Sequence, residues 1–417
     1  MRIMRPLMRY GGLILLVFLI SVSLAGCAAP GDPHSVLRNQ VSHQLSPYRF
    51  SLARWVVIAL IDHLRPSFVL RDPLRDLSQS ERVARVEEYF VLVEQARQRL
   101  RQIEREENQA REGILQRELS KIQERKAELE NKVEKILQEQ VRAALRAQGI
   151  HHPWFSTLPL RIFFPPVNVE IDPAPYLMVV SPRDRIIPVA QIPLKPEINW
   201  QIAAELEDQI DDRFNVSSLV TDRLSGLATF PIMIADDRDL RVAIRTIADE
   251  WTHHFMFFVP LGRALAFDFY NFDLRTVNES IACIVAEEIS DMVIKKYYGH
   301  IIDEQEIRAR NERRDKFHSE LRQIMEVVEE YLSRGKIDEA EEFMEASRID
   351  LVEKGFYVRK LNQAFFARRA PYISTPVMIN PLAERVKEIR EESRDLGEFL
   401  GRMSRINEPG ELESSDL

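Results

Sequence analysis

Between Ser78 and Gln148 the chain has no proline and one glycine, Gly113, in a run dense in Glu, Arg, Gln and Lys. Proline breaks helices, and straight-chain residues favour them, so this stretch restricts the chain to long helices here. Apolar residues recur at Val93, Ala96, Leu100 and Ile103, then Leu115, Leu119 and Ile122, then Leu129, Val133 and Ile136. Steps of three and four residues draw one narrow apolar stripe, as in a coiled coil. The register slips near Asn108 to Gly113, where a hairpin turn or a stutter would lie. The expectation for residues 77–149 is a coiled-coil helical arm, mostly solvated and without a ligand. It can pack on itself, on the body, or on a second copy through self-association.

The N-terminus has another character. Arg2, Arg5 and Arg9 precede the apolar run Gly11 to Ser23, which is shorter than the roughly 20 residues a membrane-spanning helix needs. Basic start, short apolar core and small residues before a cut site define a secretory signal. Leu24-Ala25-Gly26-Cys27 resembles the lipobox of bacterial lipoproteins. That resemblance implies a signal peptide over residues 1–26 and lipid on Cys27. It also implies an extracytoplasmic location, tethered to the cell membrane or to an outer membrane if one is present. Several acyl chains on one residue satisfy the requirement for stable anchoring. The only other cysteine is Cys283, so no disulfide framework is expected. A net charge of −8 argues against a nucleic-acid partner.

The fold class expected is α+β, mainly α. Residues 27–76 read as a polar tether over 28–45 followed by an apolar helix from Ser51 to Leu64. Residues 150–236 form a small β-rich subdomain. Leu160 to Pro166, Val167 to Ile171, Tyr176 to Val180 and Arg185 to Val189 are short β-rich runs bounded by prolines, which suggests an antiparallel sheet. A helix over Trp200 to Phe214 and an apolar strand from Gly226 to Ile234 follow. Residues 237–404 read as one helical domain. Its helices cover about 240–259, 275–297, 305–333, 337–354 and 381–404, with Gly335 and Gly355 as stops. Residues 405–417 read as a disordered acidic tail.

The chemistry-bearing segment is Ile247-Ala-Asp-Glu-Trp-Thr-His-His-Phe255. Asp249 and His253 are four residues apart and share a helical face, with Glu250 one step round. Downstream, Asn278-Glu279-Ser-Ile-Ala282 opens another helix. Together these residues resemble the gluzincin metallopeptidases, in which an HExxH helix and a later NExxA helix meet at zinc. The resemblance covers about residues 220–300. It implies that Asp249, His253 and Glu279 bind the metal and that Glu250 is the general base in hydrolysis of a peptide or protein substrate. It also implies that the strand with Gly226 and Phe230-Pro231 lies beside the metal as a substrate-binding edge.

One position departs from the family pattern, since Asp249 stands where the first zinc histidine is expected. Aspartate binds zinc through oxygen but is shorter than histidine, and two carboxylates leave the cation a weaker Lewis acid or favour another divalent ion. His254 and Asn278 are second-shell candidates. Tyr270, Arg359 and Tyr372 are candidate donors to the developing oxyanion. Arg359, Asn362 and Gln363 read more readily as polar groups that cap neighbouring helices. The competing reading makes Asp249 and Glu250 ordinary surface residues with His253 and His254 packed among aromatics. Equally open is a degenerate envelope protein that binds peptides or partners through its cleft and coiled-coil arm. The chain holds no second E-x-x-H for a di-iron bundle and no Gly-x-Ser-x-Gly elbow.

Overall fold

The computed structural model describes residues 34–64, 74–103, 109–150, 163–268, 271–301, 304–369 and 381–413. The signal segment, Cys27, Tyr270, Tyr372 and the run Leu160 to Ile162 lie outside the described residues. Among the described residues no helix is long and apolar enough to cross a membrane.

Two short helices lead in, α1 (Ser35–Gln44) and α2 (Leu52–Leu64). Most of the expected tether is therefore ordered: α1 buries Val41, and Leu45 after it is also buried, both against a β-sheet. The arm is a hairpin of α3 (Gln79–Ile103) and α4 (Gln109–Ala147). Its ion pairs run Arg82–Glu139 at 2.7 Å, Arg125–Glu88 at 2.6 Å and Arg99–Glu118 at 2.7 Å, so the two helices are antiparallel. Each such exposed pair contributes at most about 1 kcal/mol, and apolar packing decides the geometry.

That packing corrects the expectation of a mostly solvated arm. Val86, Tyr89 and Val93 of α3 join Leu129, Val133, Ile136, Leu137, Val141 and Leu145 of α4 in the largest core of the body. The base of the hairpin is a wall of the body.

Among the described residues, six strands form two three-stranded sheets. In the first, β2 (Tyr176–Pro182) lies between β3 (Ala190–Leu194) and β4 (Val216–Val220), all antiparallel. Its two-residue alternation is used on both sides. Met178 and Val180 face α1 and helix α5 (Trp200–Phe214), while Leu177 and Val179 face the later helices. In the second sheet β6 (Ile232–Ala235) is central, between β1 (Val169–Asp172) and the two-residue edge β5 (Gly226–Leu227).

The expected single antiparallel sheet is thus corrected. β1 pairs parallel with β6, Val169 opposite Ile232, and β5 pairs antiparallel with it. β6 is buried at all four positions, as a central strand with partners on both edges must be. The run Arg185 to Val189 is a connection rather than a strand. Ser181 Oγ spans it, donating to the Arg185 carbonyl at 3.0 Å and accepting from Ile187 N at 3.3 Å.

The helices after β6 divide between two cores, which corrects the expectation of one domain over 237–404. α6 (Leu240–Phe257), α7 (Pro260–Phe267) and α8 (Phe272–Tyr297) pack with the second sheet and the arm base. So do α12 (Pro381–Glu392) and α13 (Leu396–Met403). In contrast, α9 (Glu304–Ser333), α10 (Ile337–Glu353) and α11 (Gln363–Arg369) pack on the first sheet. Gly335 and Gly355, both at positive φ (69° and 85°), follow α9 and α10 as expected stops. The expected last helix is two, because Asp395 caps α13 by accepting from Glu398 N at 2.8 Å. The expected tail is ordered to Glu413, with Ile406 and Leu412 buried.

Candidate functional site

The site lies where α6 and α8 cross. Asp239 caps α6 by accepting from Val242 N at 2.9 Å, and Asn271 caps α8 by accepting from Leu274 N at 3.0 Å. Trp251 fixes the rotation of α6. Its indole Nε1 donates to the Pro165 carbonyl at 2.9 Å, and its ring stacks on Phe163 with centroids 5.5 Å apart. With Trp251, Phe255 and Ile247 turned into the core, Asp249 and His253 are left facing α8.

There the predicted ligands meet. His253 Nε2 is 3.9 Å from Asp249 Oδ2 and 3.9 Å from Glu279 Oε2. Its other ring nitrogen, Nδ1, is 3.1 Å from Asn278 Oδ1. Because an amide oxygen only accepts, Nδ1 carries the proton there. The three side chains are partly exposed, each keeping 16–26% of its surface, and together form a small polar recess.

Charge is concentrated in this recess. Burial pushes the Asp249 carboxyl up, and the Glu279 charge adds to it. Burial likewise raises Glu250 to about 8, although His253 and Arg368 pull it back. Burial alone would lower His253, but Glu279, Asp249 and Glu250 outweigh it and hold the imidazole at about 9. One imidazolium among three carboxyl groups thus balances part of the negative charge.

Glu250 lies under the edge strand. A side chain at Gly226 would run into Thr246 Cγ2, stand 2.7 Å from the Met233 carbonyl and 3.3 Å from Glu250 Oε1. Only glycine lets β5 approach α6 so closely, and this puts a sheet edge beside the Glu250 carboxylate.

The remaining predicted residues are placed elsewhere. His254 turns toward the edge-strand loop, with hydrogen bonds to the backbone at Ala228 and Thr229 and the Phe230 ring at 6.4 Å. Burial lowers it to about 4, so it is neutral. The hydrogen bond to the ligand set comes from Asn278 instead. Arg359 is corrected as an oxyanion donor. Its guanidinium binds Glu207, a carboxylate only 2% exposed, and donates to the Val220 carbonyl at 3.0 Å. Asn362 donates to the Ser218 carbonyl at 2.8 Å, and Gln363 to the Arg183 carbonyl at 2.8 Å, so their roles are structural but toward a strand and a turn rather than the ends of neighbouring helices. Glu287 pairs with Arg245 at 3.2 Å and Glu288 with Arg390 at 2.7 Å.

Sequence reasoning missed a cavity of about 700 Å³ next to this recess, lined among others by Ser225, Trp200, Arg368 and Arg369. Ser225 directly precedes Gly226, and Arg368 acts on the Glu250 carboxyl. The adjacent arginine pair at 368–369 was the available signal.

Zinc is the group the motif implies. Around an ion with bonds of 2.0–2.2 Å, neighbouring tetrahedral donors lie about 3.3 Å apart. As placed, no three His, Cys, Asp or Glu side chains among the described residues stand close enough to hold a metal ion. The shortfall at His253 is about half an ångström on each side, within the reach of side-chain rotation. The donor types and the Asn278 anchor on Nδ1, which leaves Nε2 toward the two carboxylates, fit a divalent ion. Compared with known proteins, the chain matches no family model, no curated protein and no solved structure.

Proposed function

We propose that this chain is an extracytoplasmic lipoprotein, anchored through Cys27, whose body carries a gluzincin-like metallopeptidase centre hydrolysing peptide bonds. The observation that carries the reading is the position of His253 Nε2, 3.9 Å from both Asp249 Oδ2 and Glu279 Oε2.

Asp249, His253 and Glu279 would hold the ion, which when bound supplies Lewis acidity toward water and a carbonyl oxygen. Asn278 fixes the His253 ring so that Nε2 faces the carboxylates. Among the described residues the edge strand β5 has a neighbour on one side only, and a peptide main chain can add to its other side. Glu250, beneath Gly226, takes the proton of the attacking water and returns it to the leaving amine.

A second reading has its own support. With His253 protonated between carboxylates, the recess is partly neutralised without any metal. That arrangement suits a lapsed enzyme that binds peptides or partners without turnover.

Glu250→Gln separates the two readings. In the zinc-loaded full chain, the peptidase reading expects Glu250→Gln to lower hydrolysis of a mixed peptide library at least about 100-fold while metal content is unchanged. Hydrolysis at the native rate by this variant would remove Glu250 from the mechanism. No hydrolysis by the native chain, with activity appearing in Asp249→His, would establish the lapsed enzyme. For the anchor, Cys27→Ser is expected to move the protein from the membrane to the soluble fraction; an unchanged membrane fraction would contradict lipidation.

A further inference from the structure

The outer side of α2 carries apolar residues that the candidate centre does not explain. Val57, Ile58 and Ile61 are 45%, 48% and 55% exposed, while Val56 and Ala59 on the opposite side are buried. Helical spacing puts the three on one face, with the exposed Arg54 one turn before Val57 and Ile58. The rotation of the helix is fixed from inside. Trp55 donates through Nε1 to the Asp172 carboxylate and packs against Met233 and Ala235 of β6. A helix between core and water turns a polar face outward, and one that is apolar on both sides has a second apolar neighbour. Single exposed apolar residues are ordinary, but a group on one face rimmed by charge marks a contact surface.

Position, charge and length set what that neighbour is. Ser35 opens α1 eight residues after Cys27, so lipid on Cys27 holds the body within about 28 Å of a bilayer. Val36, in the first turn of α1, is exposed as well. Between Asp32 and Asp62 the chain has three arginines, Arg38, Arg49 and Arg54, and no acidic residue, in a protein of net charge −8. Arg49 and Arg54 are exposed. Such a basic and apolar surface suits anionic headgroups above acyl chains, where each arginine favours the docked state about fivefold. With 13 residues α2 is about 20 Å long, too short to span a bilayer, and it lies in the plane of the interface.

We propose that α2 is a membrane-docking helix, with Val57, Ile58 and Ile61 entering the edge of an anionic bilayer and Arg49 and Arg54 at its headgroups. The docked helix orients the body, which lipid on Cys27 alone leaves free to turn. This rests on the anchor of the proposed function and requires neither metal nor turnover.

The test uses the full chain in vesicles of phosphatidylcholine and phosphatidylglycerol, with a fluorescent amino acid in place of Ile58. Lipids brominated on their acyl chains are the quencher. Fluorescence is expected to fall about twofold, because such a face enters the bilayer by roughly 5–10 Å. The same probe in place of Ile349, an exposed position of α10, is expected to keep its intensity. Val57→Ser with Ile61→Ser is expected to abolish the quenching at position 58. Arg49→Gln with Arg54→Gln, or vesicles of phosphatidylcholine alone, are expected to lessen it.

Equal quenching at both positions, none at position 58, or no effect of headgroup charge overturns the proposal. So does quenching that survives the two serine replacements. A probe at position 58 that is shielded from water but unquenched has a second copy or another part of the chain over it, which also overturns the proposal. Should the chain with the probe at 58 fail to fold, the probe replaces Ile61 instead, with Val57→Ser and Ile58→Ser as its control. Intact mass reads the lipid on Cys27 separately. Quenching at 58 in a chain without lipid upholds the docking helix and contradicts the anchor; an acylated chain without quenching does the reverse.

Discussion

Asn278 on α8 holds the imidazole of His253 on α6, with Oδ1 3.1 Å from Nδ1. One helix thus sets the ring orientation and tautomer of a residue on the other, and leaves Nε2 toward Asp249 and Glu279. The packing of α6 on α8 is what makes the candidate centre a unit.

Asn278→Ala is therefore expected to weaken zinc binding by about 10- to 100-fold, the usual effect of removing a partner behind a ligand. Asn278→Asp should retain most of the affinity, since its carboxylate accepts the same hydrogen bond. Isothermal titration of the two variants checks this. Equal affinity for Asn278→Ala and the native chain would show that the ring needs no such anchor.

Gly226→Ala tests the close approach of β5 to α6. The added methyl meets Thr246 and the Met233 carbonyl, so overpacking should cost about 1–3 kcal/mol of stability. It should also disturb Glu250, whose Oε1 lies 3.3 Å from the added carbon. Denaturant unfolding of the variant reads the first effect, and peptide binding the second. A fully stable variant with native binding would mean that the strand can lift without consequence.

The arm base contains a pH-sensitive pair of groups. Burial pushes Glu134 well above the ordinary carboxylate range and Glu130 up to about 7. Glu134 Oε1 accepts from Ile171 N at 2.8 Å, so the arm grips β1 through one of them. For Glu130 the folded pKa lies above the unfolded value of 4.5, so the folded state binds the extra proton. Its contribution to stability is fully present below pH 4.5 and is lost as pH rises through about 7. Relative to the native chain, Glu130→Gln should gain stability over that window, by an upper limit of about 3 kcal/mol. Melting temperatures at pH 4.5 and 8 for both proteins test this, and a difference that does not change with pH would contradict it.

Much of this architecture was legible in the sequence, where local chemistry sets local structure. The helices over Trp200–Phe214 and Leu240–Phe257 start at Asn199 and Asp239, residues that cap as their side chains allow. The Asp249/His253 spacing and the Asn278-Glu279 pair pointed to side chains that lie together, because helical periodicity carries four-residue spacing directly into space. What was illegible depends on distant segments. The parallel pairing of β1 with β6 joins Val169 to Ile232, and no local signal states it. Burial of Leu129 to Leu145 in the body was hidden by a stripe that a self-contained coiled coil would also show. The partner of Arg359 was not legible because Glu207 lies about 150 residues away on a different helix. The cavity exists only once α5, β4 and α11 are assembled.

The central claim is that Asp249, His253 and Glu279 bind one divalent ion. Zinc titration of the metal-stripped full chain, read by elemental analysis after gel filtration, tests it most directly. The account predicts one equivalent of zinc, lost in Asp249→Ala and in Glu279→Ala and retained in Glu250→Gln. No bound zinc at saturating concentration, or one equivalent that survives both alanine substitutions, would contradict it.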